Sequence, residues 1–297
     1  MPSRVIAYIA AVVALAVAVF AVWTNQAGIG NAASRLGLPV RVPTADRSPE
    51  PARASPTESS LDMATQPAPP LLTPTPVDVT AQGFLSWAML DRQTGTITGS
   101  ANFATATNST ESMIKAWISA DYLRRLGTTQ PLQSRLNELT RMIRDSDDDA
   151  AEDIYNVGGR DAVVRRMISI CELTETSIFN GWWSRTQVSA RDAVRLGGCV
   201  ADGRAAGAKW TPWLLGEMRQ VRGEGRFGII DALPPTVTAQ TAIKNGWTIV
   251  GSQWHLNCLA IVDRYVLAVL TRYQSSLGIS DGAGLCRDIT AKLQPAG

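Results

Sequence analysis

The stretch Thr110–Leu123 reads TESMIKAWISADYL. Ile114, Trp117 and Ile118 repeat at helical spacing, which predicts a helix turned into a core. Ser112 and Lys115 stand one turn apart on one face of that helix. Lysine is scarce: four of the chain's 28 basic residues are Lys, at positions 115, 209, 244 and 292. Arginine keeps its proton in a protein, whereas a desolvated lysine can release it. A neutral amine at this spacing accepts the proton of the hydroxyl and makes the serine a nucleophile. The first expectation is a serine acyl-transfer enzyme with Ser112 as nucleophile and Lys115 as base.

Composition removes several competing chemistries. The chain has 297 residues and a formal net charge of +2, too balanced for a nucleic-acid partner. His255 is the sole histidine and no Gly-x-Ser-x-Gly sequence is present, so a Ser-His-Asp triad has little support. A histidine-based zinc site is also disfavoured, and Asp147–Asp149 lacks the spacing of a calcium loop. No metal and no cofactor are expected.

Arg4 precedes an apolar run from Val5 to Trp23, close to the length of a bilayer span. Residues 1–23 are read as a transmembrane anchor, with a cleaved signal sequence as the alternative. No cysteine follows the run at short range, which argues against a lipid-modified start. Residues 24–79 carry ten of the sixteen prolines with much Ser, Thr and Ala, the composition of a disordered tether. The expected placement is a single-pass protein of the cytoplasmic membrane. Its domain, residues 80–297, would lie on the extracytoplasmic side. In that oxidising setting Cys171, Cys199, Cys258 and Cys286 form an even set that permits three connectivities. Proximity in the expected fold favours Cys171–Cys199 and Cys258–Cys286; four buried thiols are the other reading.

The domain opens with FLSWAMLDRQTGTITGSANF, a hairpin pattern around a Gln-Thr-Gly turn. Helical spacing follows in 112–126, 131–144, 149–156, 160–170, 190–203 and 211–221. Strand patterning returns in 240–250, 254–262 and 265–271, and a last helix spans about 284–293. Strands at both ends with helices between imply one sheet assembled from distant segments. The expected class is α/β (α+β): an antiparallel sheet of N- and C-terminal strands flanked by helices, with an inserted all-helical subdomain.

Two further segments carry candidate chemistry. Ser146-Asp147-Asp148 sits at a helix start, where Ser146 is either an N-cap or a proton shuttle to a leaving group. Asp148 would hold Lys115 or a substrate amide. Lys244-Asn245-Gly246 lies within an expected strand, TAIKNGWTIV. Lys244 would supply positive charge for a substrate carboxylate. Gly246 suggests close approach by a ligand. The backbone N–H of Trp247 could then join that of Ser112 as an oxyanion donor.

Ser-x-x-Lys, then Ser-Asp-Asn, then Lys-Thr-Gly is the motif series of class A β-lactamases and penicillin-binding proteins. The chain resembles that superfamily over roughly residues 83–294. TESMIKAWISADYL resembles its nucleophile helix, and SDDDAAEDIYNVGG its second element. VSARDAVRLGGCV resembles the helix after the omega loop, and GIIDALPPTVTAQTAIKNGW the approach to the third motif. The resemblance implies a β-lactamase/transpeptidase-like fold with Ser112 acylated, Lys115 its base, Ser146 the proton relay and Lys244 the carboxylate anchor. Asp148, Asn245, Gly246 and Trp247 would contact a small-molecule or peptidoglycan-derived substrate. Asp148 stands in place of Asn, and Asn245 in place of Thr. The stretch SIFNGWWSRTQVSARD lacks the class A Glu-x-x-Leu-Asn pattern. The implied enzyme is therefore a hydrolase of D-amino-acid peptides, esters or β-lactams, not an efficient β-lactamase. A catalytically impaired module binding peptidoglycan or an envelope partner is the alternative.

Overall fold

The computed structural model describes residues 70–295. The expected membrane anchor, and the expected tether up to residue 69, lie outside them. Among the described residues no helix is long and apolar enough to cross a membrane.

The hairpin at the start of the domain forms β1 (Gly83–Asp91) and β2 (Ile97–Gly99). A short strand β3 (Thr107–Ser109) leads into a 3-10 turn, Glu111–Ile114, and then α1 (Lys115–Leu126). Four helices or strands with periodic apolar faces follow as α2 (Gln133–Arg144), α3 (Asp148–Val157), α4 (Asp161–Ile170) and, after the three-residue β4 (Gln187–Ser189), α5 (Ala190–Ala201). Next come α6 (Thr211–Arg219), the single-turn α7 (Pro235–Thr238), β5 (Ala242–Ile243) and β6 (Gly246–Val250). The chain closes with β7 (Gln253–Val262), β8 (Tyr265–Gln274) and α8 (Ile279–Leu293).

The main sheet is antiparallel in the order β2-β1-β8-β7, with β5 and β6 both on the outer edge of β7. N-terminal β1 therefore pairs with C-terminal β8, which is the α+β closure expected from the sequence. Strands β7 and β8 are buried along nearly their whole length because helices cover both faces. Gly197 lets α5 lie close on one face, since a Cβ there would fall 2.5 Å from Val266. On the other face α8 is tied to β7 by Cys258–Cys286, with a Cα separation of 6.4 Å. Cys171–Cys199 joins the end of α4 to α5, with a Cα separation of 5.5 Å. Both pairings are those favoured above.

Three details depart from the expectations. Residues 70–79, assigned to the tether, include Leu72, which is fully buried, and Thr73 N–H donates to the Leu293 carbonyl at 2.6 Å. An apolar side chain with core to enter docks that segment beside α8. The strand expected over 240–250 is interrupted at Lys244-Asn245, yet its register against β7 continues unbroken from Ile243↔Ala260 to Gly246↔Asn257. There the Asn245 Oδ1 accepts from Leu259 N–H at 3.3 Å, taking a ladder position from the backbone. The last helix begins five residues earlier than expected, at Ile279. Its Gly282 reads as a breaker but packs on Tyr273 where a Cβ would clash at 2.7 Å.

Candidate active site

Helix α1 starts inside the core. Met113, Ile114, Trp117 and Ile118 are buried, and this apolar seat draws Lys115 in with them, fully buried. Ser112 is half-buried on the 3-10 turn just before it. It lies between two cavities. One, of about 370 Å³, is lined by Ser112, Glu111, Asp148, Glu152, Trp183 and Arg185. The other, of about 420 Å³, is lined by Ser112, Ser146, Asp148, Arg222, Glu224 and Trp247. A larger cavity of about 620 Å³, among Leu71, Leu215, Arg219, Thr241 and Ile261, touches none of the candidate residues.

The second segment meets the first through Lys115. Its Nζ donates to the Ser146 carbonyl at 2.5 Å, to Asp148 Oδ1 at 2.5 Å and, more weakly, to Ser146 Oγ at 3.3 Å. Those three contacts use the three donors of an ammonium. Among the described residues Lys115 makes no hydrogen bond to the Ser112 hydroxyl. The indole of Trp183 lies 5.2 Å from the same nitrogen. Burial lowers the Lys115 pKa, while the Asp148 carboxylate pulls in the opposite direction.

The N-cap of α3 is Asp147, not Ser146: Ala150 N–H donates to Asp147 Oδ1 at 2.9 Å. This hydrogen bond also holds Asp147 below the usual carboxylate range. Ser146 is thereby left free of capping and takes a left-handed backbone, φ +59°, costly for a residue with a Cβ. That turn directs its Oγ between two lysines, with Lys244 Nζ at 3.0 Å. Lys244 is fully buried and its pKa is pushed well below the ordinary value, first by burial and then by the charge of Lys115.

The third segment behaves differently residue by residue. Lys244 points to the Ser146 hydroxyl, and Asn245 points to the opposite face by strand alternation. The Asn245 amide donates to the Gly225 and Phe227 carbonyls at 3.0 and 2.9 Å, so its side chain fastens a loop to the sheet and is not available to a substrate. Gly246 also departs from the expectation. What approaches it is the chain's own main chain: a Cβ would fall 2.6 Å from the Thr110 carbonyl oxygen and 2.8 Å from Ser112 N. This contact sets β6 against the 3-10 turn that carries Ser112. Trp247 lines the cavity on the Ser146 side, its ring edge-on to Phe227 at 5.7 Å between centroids.

One residue that sequence reasoning passed over belongs to this site. Glu111, immediately before Ser112, is buried, has φ +48° and lines the Trp183-side cavity. Ser109 Oγ donates to its Oε1 at 2.6 Å, and the same hydroxyl lies 2.6 Å from His255 Nδ1. Burial raises the Glu111 pKa; the Ser109 bond and the Arg185 guanidinium oppose that. Burial lowers His255 to about 4, so the imidazole is neutral at neutral pH. The signal in the sequence is a carboxylate immediately before the Ser112-x-x-Lys115 motif. Arg191 pairs with Glu175, and the Asp192 carboxylate ties down the backbone of Thr174 and Glu175.

No family model matches the chain. It is 31% identical over 205 residues to "Putative lipoprotein LppW" of Mycobacterium tuberculosis (strain ATCC 25618 / H37Rv), an alignment covering 62% of each chain. The protein of the same name in Mycobacterium bovis gives the same values. The chain thus spans about 62% of the length of the curated relatives it matches. Among solved structures, a β-lactamase from Streptosporangium roseum superposes with a TM-score of 0.58 at 15% identity, over 71% of this chain and 92% of that one. A β-lactamase from Xanthomonas campestris pv. campestris gives 0.58 at 13% identity, over 72% and 92%. The TLA-3 extended-spectrum β-lactamase gives 0.57 at 14%, over 72% and 94%. The fold is β-lactamase-like, diverged in sequence.

Proposed function

We propose that this chain is an envelope serine hydrolase of the penicillin-recognising type, acylated at Ser112 with Lys115 as base. Its substrates are D-amino-acid peptides, esters or β-lactam-like amides, with water or an amine as acyl acceptor. The observation that carries this reading is the convergence on Ser146 Oγ of two fully buried lysines, Lys115 and Lys244, where Ser146 lines a cavity together with Ser112. Burial lowers the Lys115 pKa, the direction that favours an amine able to accept a proton.

In the proposed reaction, substrate entering the cleft displaces Asp148, whose side chain is 79% exposed, from Lys115. The freed neutral amine takes the Ser112 proton as Oγ attacks the carbonyl carbon. The oxyanion is received by the N–H groups of Ser112 and Trp247, at a spacing held by Gly246. Ser146 passes a proton to the departing nitrogen or oxygen. Lys244 supports that hydroxyl, and a substrate carboxylate beside it would favour its charged form; Asn245 has no part in binding. The N-terminal apolar segment serves as the tether to the cytoplasmic membrane.

Intact-mass spectrometry after incubation with benzylpenicillin or a fluorophosphonate tests the reading. The expected result is a covalent adduct mapped to Ser112 and absent from Ser112→Ala. No adduct at that residue with either probe would remove it. A second reading, a non-catalytic module that binds peptidoglycan or an envelope partner, is favoured by the Lys115–Asp148 pair and the missing Ser112–Lys115 hydrogen bond. It requires ligand binding that Ser112→Ala leaves unchanged and no turnover that this substitution abolishes.

A further inference from the structure

We propose that Glu111 is the general base that activates the acyl acceptor once Ser112 is acylated, an inference that rests on the acylation reading above. The segment at 172–186 supplies no glutamate of the class A pattern, so an acyl-enzyme needs a proton acceptor from elsewhere. Glu111 is placed on the acceptor's side of the serine. It adjoins the nucleophile in the chain and lines the same 370 Å³ cavity as Ser112. That cavity lies on the Trp183 side of the serine, whereas Ser146 lines the cavity on the other side. The leaving group departs past Ser146, and the acceptor enters beside Glu111.

The carboxylate is held for this task. Its Oε1 receives the Ser109 hydroxyl, while Oε2 takes no protein hydrogen bond among the described residues and is not sealed from solvent. With Glu111 ionised, the Ser109 hydroxyl donates to Oε1 and accepts from His255, which then carries its proton on Nδ1. The sole histidine acts as a positioning residue: it fixes Ser109, which fixes Oε1. The left-handed backbone of Glu111 is a second sign of a constrained side chain. Burial shifts the group toward the range in which a base works best near neutral pH.

The step balances without a further reactant. Water oxygen bonds the acyl carbon of the Ser112 ester as Glu111 takes one water proton. The tetrahedral intermediate then breaks its C–Oγ bond. The proton moves from Glu111 to Oγ, which restores the carboxylate and the serine and releases a carboxylic acid.

The test follows the Ser112 adduct with benzylpenicillin over time in the full-length chain, for wild type and Glu111→Gln. Acylation is expected to stay within a few-fold of wild type. Loss of the adduct is expected to slow by about 10²–10⁴-fold, the range for removing a general base. Adduct loss at the wild-type rate in Glu111→Gln would overturn the inference and leave acylation standing. No adduct in either protein would overturn the acylation reading itself. A folding-independent arm uses Ser109→Ala. The groups facing Glu111 are Ser109, His255, Arg185 and Asp148. Removing the Ser109 donor raises the Glu111 pKa, so the acid limb of the deacylation profile moves to higher pH. An unmoved limb in a folded Ser109→Ala protein counts against Glu111 as the base.

Discussion

Lys115 and Lys244 are the same residue type, both fully buried, and both within reach of Ser146 Oγ, yet their surroundings differ. Lys115 sits on a helix start and has a carboxylate, Asp148, at 2.5 Å. Lys244 sits on a sheet edge and, among the described residues, has only the Ser146 hydroxyl and the Asn245 carbonyl as acceptors, at 3.0 and 3.3 Å. Burial lowers both pKa values, but one lysine has a countercharge in direct contact and the other does not. The contrast separates two tasks. A lysine whose exposed partner can be exchanged suits proton transfer, and one without a partner suits recognition of an incoming anion.

The sharpest way to break that division is Lys115→Ala. Loss of the base should slow Ser112 acylation by about 10²–10⁴-fold, measured by the rate of adduct formation. An equal loss in Lys244→Ala, with Lys115→Ala nearly active, would reverse the assignment. Next is stability against pH. A lysine whose folded pKa is depressed binds fewer protons folded than unfolded, so stability rises with pH through the window from that depressed value up to about 10.4. The slope per lysine is at most about 1.4 kcal/mol per pH unit. Urea midpoints at several pH values should show this rise in wild type and a flatter curve in Lys244→Met. An unchanged slope would mean that Lys244 carries no depressed pKa.

The neighbouring Asn245 sharpens the comparison from the structural side. Asn245→Ala abandons two backbone carbonyls and one N–H, a loss of about 1–3 kcal/mol in denaturant stability. Acylation of the folded fraction should change little; a selective loss of anionic substrates would place Asn245 in recognition after all. The smallest effect is expected from Asp148→Asn. Removing the carboxylate lowers the Lys115 pKa further, so the limb of the acylation profile set by the free amine moves to lower pH. A shift to higher pH would show that Asp148 does not act on Lys115.

Much of this site was legible because its lysines are rare and its helices are periodic. Ser112, Lys115, Ser146 and Lys244 are singled out by motif and spacing; both lysines reach Ser146 Oγ, and Ser146 lines a cavity together with Ser112. The α+β closure followed from strand patterning at both ends. What escaped reading depended on tertiary pairing. Asn245 could be assigned to a substrate only while its partners, Gly225, Phe227 and Leu259, were unknown. Glu111 was passed over because its partners lie on β3, on the turn at Arg185 and, through Ser109, on β7, and no local pattern announces such a set. The three-residue strands β3 and β4 are too short to show periodicity. Leu72 looked like part of a proline-rich tether because the core it enters is built from residues at the far end of the chain.

The contact at Gly246 has a consequence for how such a protein can diverge. Main chain meets main chain there, with room for a hydrogen atom and nothing larger. The width of the slot beside Ser112 is thus a property of backbone dimensions and independent of which side chains surround it. Cleft walls can be rebuilt, motif residues exchanged and new specificities explored while that one gauge stays constant, provided position 246 keeps no side chain at all.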